Sequence, residues 1–121
     1  GIQNTLLGVD VVQDKKAVAS DVTEAELLGL LDGTPATIVV TVIGGQGYIL
    51  GRGNQQISPE VVRRVGREQI VVVAPTQKLA SLEGRPLLVD TGDPDLDESL
   101  TGYWKVVTGY RQYAMHRVGG D

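Results

Sequence analysis

The sequence predicts an α/β domain: a mainly parallel sheet flanked by helices, with a C-terminal antiparallel hairpin. Three observations predict it. Residues 36–43 (ATIVVTVI) and 70–74 (IVVVA) are β-branched runs, apolar on both faces, the pattern of strands covered on either side. Helix starts fall between the strand-like runs, marked by caps at Thr23, Ser58 and Asp93. The chain closes on two strand-like segments, 103–107 and 110–118, joined by Thr108-Gly109, a hairpin signal.

Each element has a local cause. Residues 6–12 (LLGVDVV) are short, apolar and valine-rich, and Asp14-Lys15-Lys16 turns them into Ala17-Val18-Ala19, a small hairpin. Thr23-Glu24-Ala25-Glu26 has capping-box spacing. Leu27, Leu28, Leu30 and Leu31 follow as an apolar face, and Gly33 stands where a left-handed cap belongs. Ser58 caps a second helix with Pro59 at its first position, where the missing N–H costs nothing, and Gly66 stops it. A short helix is expected over 76–82 and a strand over 86–89. A last helix opens at Asp93-Pro94 with three acids in its first turn, favoured by the helix dipole, and Gly102 breaks it. Strand and helix alternate through the middle of the chain, the order that makes parallel neighbours through right-handed crossovers.

Composition narrows the function. The 121 residues fit one domain spanning 1–121, with 41% hydrophobic and 21% charged residues. The formal net charge is −4, and the longest basic cluster is Arg63, Arg64 and Arg67, so no nucleic-acid partner is expected. No apolar run approaches the ~18 residues of a membrane span, and no signal peptide is legible. Cysteine is absent, which removes disulfides, thiol nucleophiles and thiolate metal sites and agrees with a cytoplasmic location. One histidine, His116, cannot build a zinc site, and it is expected exposed on the last strand.

The stretch 44–60 (GGQGYILGRGNQQISPE) holds five glycines, an arginine and a run of amides between a strand and a helix. Glycines there can let a backbone approach phosphate oxygens. The dinucleotide pattern G-x-G-x-x-G fails by one place: Gly45 and Gly47 fit, but Leu50 stands where the third glycine belongs. Gly47, Gly51 and Gly53 meet G-x-x-x-G-x-G, a spacing that a chain with 16 glycines produces by chance. No Gly-Lys-Ser/Thr follows, and Asn54-Gln55-Gln56-Ile57 intervenes before the helix cap, so neither a P-loop nor a dinucleotide turn is made. Tyr48-Ile49-Leu50 reads as a short strand. Two readings stand. In one, Gly44, Gly45, Gln46, Gly47, Arg52, Gly53, Asn54, Gln55 and Gln56 line a polar, ligand-binding cleft at the strand's C-terminal end, with Arg52 on a phosphate or carboxylate. In the other, the glycines serve tight turns and the amides tie the loop to itself or to a neighbouring domain.

Other candidates read as structure. Asp90, Asp93, Asp95 and Asp97 lack the order of a calcium loop and make an acidic helix start. Arg63, Arg64 and Arg67 form a solvated helix face. Ser58 is a cap with no base near it. Tyr103-Trp104-Lys105 reads as packing at a sheet edge or a domain contact. No catalytic residue and no metal ligand is assigned.

The blocks NTLLGVDVV, DVTEAELL, IGGQGYILGRGNQQISPEVVRRVG, LLVDTGDPDLD and GYWKVVTGYR are spread from residue 4 to residue 111. On these the chain resembles the C-terminal part of the ATP-NAD kinase-like family, in the branch that includes the acetoin-catabolism protein X relatives. The resemblance implies a parent that transfers a phosphoryl group from ATP, or polyphosphate, to the 2′-hydroxyl of the NAD adenosine ribose. NAD and ATP with Mg are then the parent's cofactors. The family's GGDG motif lies in an N-terminal α/β domain and is not in this sequence. Gly44-Gly45-Gln46-Gly47 is not a degraded copy, because glutamine cannot act as the acidic group. The chain begins Gly1-Ile2-Gln3 without an initiator methionine. The expectation is a piece of a longer protein, inactive alone, whose partners are the missing N-terminal domain and further copies in a homo-oligomer. A structural or oligomerisation module, or a nucleotide-sensing domain without kinase activity, is the alternative.

Overall fold

The computed structural model describes residues 11–13, 16–19, 22–33 and 35–120. Strands β1 (Val11–Gln13) and β2 (Lys16–Ala19) pair antiparallel, the small hairpin the sequence predicts; residues 6–10 of the expected first strand lie outside the described residues. Helix α1 (Glu24–Leu31) opens on the predicted capping box. Thr23 Oγ1 accepts from Glu26 N at 3.2 Å, and Glu26 Oε1 accepts from Thr23 N at 3.3 Å. Gly33 follows in the left-handed region.

Strand β3 (Ile38–Thr41) leads through residues 44–47 to β4 (Tyr48–Leu50). Helix α2 (Pro59–Val65) carries Ser58 as its cap, with Oγ accepting from Val61 N at 3.3 Å. It ends at Gly66, and a 3-10 turn (Arg67–Gln69) enters β5 (Ile70–Val73). Arg67 therefore leaves the helix face on which the sequence placed it, and its guanidinium lies 4.9 Å over the Trp104 ring. Helix α3 (Thr76–Ala80), β6 (Leu87–Val89), α4 (Pro94–Ser99), β7 (Gly102–Gly109) and β8 (Gln112–Gly120) complete the chain.

The fold is α/β with a mostly parallel sheet and a C-terminal antiparallel hairpin, as predicted, but the strands are threaded differently. The order is β3-β5-β7-β8-β6-β4. Strands β3, β5 and β7 are parallel to one another, as are β8, β6 and β4, and the two sets meet antiparallel at β7–β8. The C-terminal hairpin thus forms the centre of the sheet. Parallel neighbours are next-but-one strands, because consecutive strands go to opposite halves. For the first pair the cause is connection length: a parallel crossover needs about a dozen residues, and β3 reaches β4 through six, so the two run in opposite directions.

That short connection also joins the sheet's two ends. Ile43 N donates to Tyr48 O at 2.6 Å and Tyr48 N to Ile43 O at 3.2 Å, so the strands that end the order meet each other. The sheet curls, and one core fills the inside. Val40, Ile70, Val72, Trp104 and Val106 come from one half, and Ile49, Leu50, Leu87, Val89 and Val118 from the other. Val61 and Val62 of α2, Leu82, Leu96 and Leu100 close it, and Leu27, Leu28 and Leu31 of α1 pack against it. Burying each such side chain contributes about 1.5–3 kcal/mol.

Three expectations change. Trp104 sits on a central strand, not an edge, and is buried with Nε1 donating to Leu100 O at 2.8 Å. The hairpin turn lies at Tyr110-Arg111, with Arg111 at φ 55°, because inward-facing Trp104 and Val106 register against His116 and Ala114 and carry the pairing past Thr108-Gly109. His116 is half-buried, its Nε2 3.0 Å from Arg85 O.

The parallel pair β4–β6 demands a glycine. Leu88 N donates to Gly47 O at 2.9 Å and Asp90 N to Leu50 O at 3.0 Å, and the pairing shifts register between Tyr48 and Leu50. Gly51 stands at φ 96°, and a Cβ there would lie 1.7 Å from Asp90 O. Gly51→Ala is expected to lower unfolding stability by about 3 kcal/mol. Gly45→Ala, at a position without positive φ and facing open space, should change it by less than about 0.5 kcal/mol. Urea midpoints measure both; equal midpoints would contradict the close approach.

Candidate functional site

The glycine block does not form one loop. Its first part, residues 44–47, is the turn between β3 and β4, and its second part, residues 51–57, follows β4. At ~3.3 Å per extended residue, the strand between sets them roughly 10 Å apart. The predicted cleft residues fall into two groups at the two ends of β4.

Gly44, Gly45 and Gln46 are exposed at the turn, and Gly47 is buried beneath Leu82. Gln46 lines a recess of about 250 Å³ with Tyr48, Arg85, Pro86 and Leu88. Arg85 Nε donates to Leu82 O at 2.9 Å, and Nη2 reaches Gly45 O at 3.5 Å. Arg85 was not singled out from the sequence. It stands at the head of β6, and only the β4–β6 pairing, invisible in a linear reading, brings it to the glycine turn.

Beyond β4 the loop is tied to itself. Asn54 is buried, 6% exposed. Its Nδ2 donates to Ile49 O at 2.9 Å, its Oδ1 accepts from Gly51 N at 3.0 Å, and its carbonyl accepts from Ile57 N at 2.9 Å. Gly53 is buried at φ 90°, Gln55 is exposed and Gln56 half-buried. Arg52 Nε pairs with Asp90 Oδ2 at 2.9 Å, and its guanidinium lies 4.9 Å from the Tyr48 ring centre. A phosphate coming to Arg52 would compete with that carboxylate.

The acids have structural partners as well. Asp93 caps α4, accepting from Leu96 N at 3.1 Å, and it pairs with Arg63, linking α4 to α2. The Arg63 hydrogen bond, with the Leu96 amide beside it, holds the Asp93 carboxyl below its ordinary range. Asp97 Oδ1 accepts from Thr91 N at 3.0 Å and from Thr91 Oγ1. Among the described residues, no three acidic or imidazole side chains are grouped to hold a metal ion. No helix among them is long and apolar enough to cross a membrane.

These features define an α/β module on one curled sheet, with a glycine block at the sheet's closure and a shallow recess beside it. A family model described as the ATP-NAD kinase C-terminal domain matches residues 1–118, and the chain belongs to that family. No curated protein and no solved structure matches it.

Asn54→Ala removes a side chain that satisfies two backbone groups at a buried site. A loss of about 2 kcal/mol or more is expected, since each stranded group costs ~1–3 kcal/mol. The Gly51 amide should exchange its hydrogen faster in that variant. Unchanged exchange at Gly51 would contradict the tie.

Proposed function

We propose that the chain is the C-terminal domain of an NAD kinase-like protein, in the branch that includes the acetoin-catabolism protein X relatives. It supplies one wall of a nucleotide cleft and a surface for assembly. The parent transfers a phosphoryl group from ATP or polyphosphate to the NAD ribose in the cytoplasm, making NADP. The observation that carries this reading is the family match over residues 1–118. The recess beside the glycine turn supports a local role.

The two ligands fit the described residues unequally. A triphosphate with its metal does not fit the second part of the block. Gly51 N and Ile57 N are bonded to Asn54, and Asp90, Asp93 and Asp97 each hold a protein partner. The recess suits a planar ring, with Tyr48 and Leu88 as apolar wall and Gln46 and Arg85 as polar rim. This domain therefore takes the dinucleotide side, and phosphoryl donor and metal belong to another domain of the parent. A structural or oligomerisation module without kinase activity is the second reading, favoured by the second part of the glycine block, which Asn54 ties to itself.

Thermal melts of the chain with NAD, NADP, ATP and magnesium-ATP at millimolar concentration separate the two readings. NAD or NADP is expected to raise the midpoint; at a hundredfold excess over its dissociation constant a ligand adds about 2.7 kcal/mol. Arg85→Gln should abolish the shift and Arg64→Gln retain it. No shift with either dinucleotide would take the cleft away from this domain and leave the assembly reading.

A further inference from the structure

The outer face of the curled sheet carries a surface that neither the core nor the glycine block uses. Register pairs Tyr103 with Arg117, Lys105 with Met115 and Val107 with Tyr113. Trp104 and Val106, between them, point into the core, so these six side chains share the opposite face. Val71 and Val73 of β5 and Val39 of β3 continue it, since Val39 pairs with Val71 and Val73 with Val107. Val39 and Met115 are 62% and 58% exposed. Scattered exposed apolar side chains are ordinary, but here four valines, two tyrosines and a methionine are contiguous, with Lys105 and Arg117 among them, an apolar centre with a polar rim as at an interface.

The charge of this face is distinctive. Residues 100–120 contain no aspartate or glutamate, while Lys105, Arg111 and Arg117 fall among them in a chain of net charge −4. Among the described residues none of these three enters an ion pair. Lys105 lies 4.1 Å over the Tyr113 ring and Arg111 5.3 Å over the Tyr110 ring. At one side a recess of about 340 Å³ opens between Arg67 and Lys105, floored by Val71, Val107 and Tyr103, with Glu68 the one acid in its lining.

We propose that this face docks an acidic polypeptide surface, with carboxylates against Lys105, Arg67 and Arg117 and an apolar or aromatic side chain in the recess over Val71 and Val107. Charge complementarity selects the occupant. A second copy packed face to face about a two-fold axis would set each cation near its like, which opposes association. The polar rim steers the encounter, and the apolar floor supplies the contact that excludes water. The recess in this surface shares no lining residue with the one at Gln46 and Arg85.

The test uses the whole chain and a random glutamate–tyrosine copolymer as probe, followed by backbone amide chemical shifts. Perturbations are expected at residues 71–73, 103–107 and 113–117, and the affinity should fall as salt is raised. Lys105→Glu with Arg117→Glu should weaken binding about tenfold or more. Tyr113→Ser with Met115→Ser, which leaves the cations in place, should weaken it too, and circular dichroism confirms that each variant is folded. Arg64→Gln, on the other side of the sheet, should bind as the parent does. The proposal is overturned if both double variants bind normally, if the shifts lie elsewhere, or if polyglutamate without tyrosine binds as tightly. It is equally overturned if duplex DNA or phosphatidylserine vesicles outcompete the copolymer, or if the face instead mediates a concentration-dependent dimer.

Discussion

Two hydrogen bonds between Ile43 and Tyr48 join strands that stand at opposite ends of a six-stranded order. Much else follows from this junction. A four-residue turn cannot carry a parallel crossover, so β4 runs antiparallel to β3, in the direction shared by the other half of the sheet. Each later strand then extends one half or the other, and the last two meet antiparallel down the middle. The junction also gives the sheet an inside. Strand β4 is buried along its whole length, as a strand at a free edge would not be.

The glycine block takes its character from that closure. Residues 44–47 make the turn, and Gly51 lets β4 run against the Asp90 carbonyl with no room for a side chain. Asn54 fixes the exit of the strand by bonding to backbone on both sides of it. A glycine-rich stretch after a buried strand invites a phosphate, yet Tyr48 N, Gly51 N and Ile57 N are already bonded within the protein. What faces outward at the turn is modest: a glutamine, a tyrosine edge and an arginine brought in from β6.

Much of the fold was legible because its signals are local. The Thr23–Glu26 box, the Ser58-Pro59 start and the Asp93 cap act within one helical turn, and each forms as read. Tyr48, Ile49 and Leu50 were readable as a strand. Strand order was not legible, since it depends on which strands pair across long connections, and periodicity carries no such information. The hairpin turn was misplaced by two residues for a related reason: Thr108-Gly109 is a good local turn, but core registry outweighs it and places Arg111 at positive φ. Of the glycine block, the loop-tying role of Asn54 was one of the two readings of its amides, whereas Arg52, read as a partner for a ligand's phosphate or carboxylate, pairs with Asp90. Arg85 was not legible, because it enters only through pairing between strands far apart in sequence.

The closure itself is tested most directly by native-state amide hydrogen exchange at Ile43 and Tyr48. If the two ends of the sheet are joined there, both amides should be protected to the level of Val72 and Val106 in the central strands, opening only with the whole domain. Exchange at the rate of the exposed Gly45 amide would contradict it, leaving β3 and β4 as open edges and the glycine turn as an ordinary surface loop.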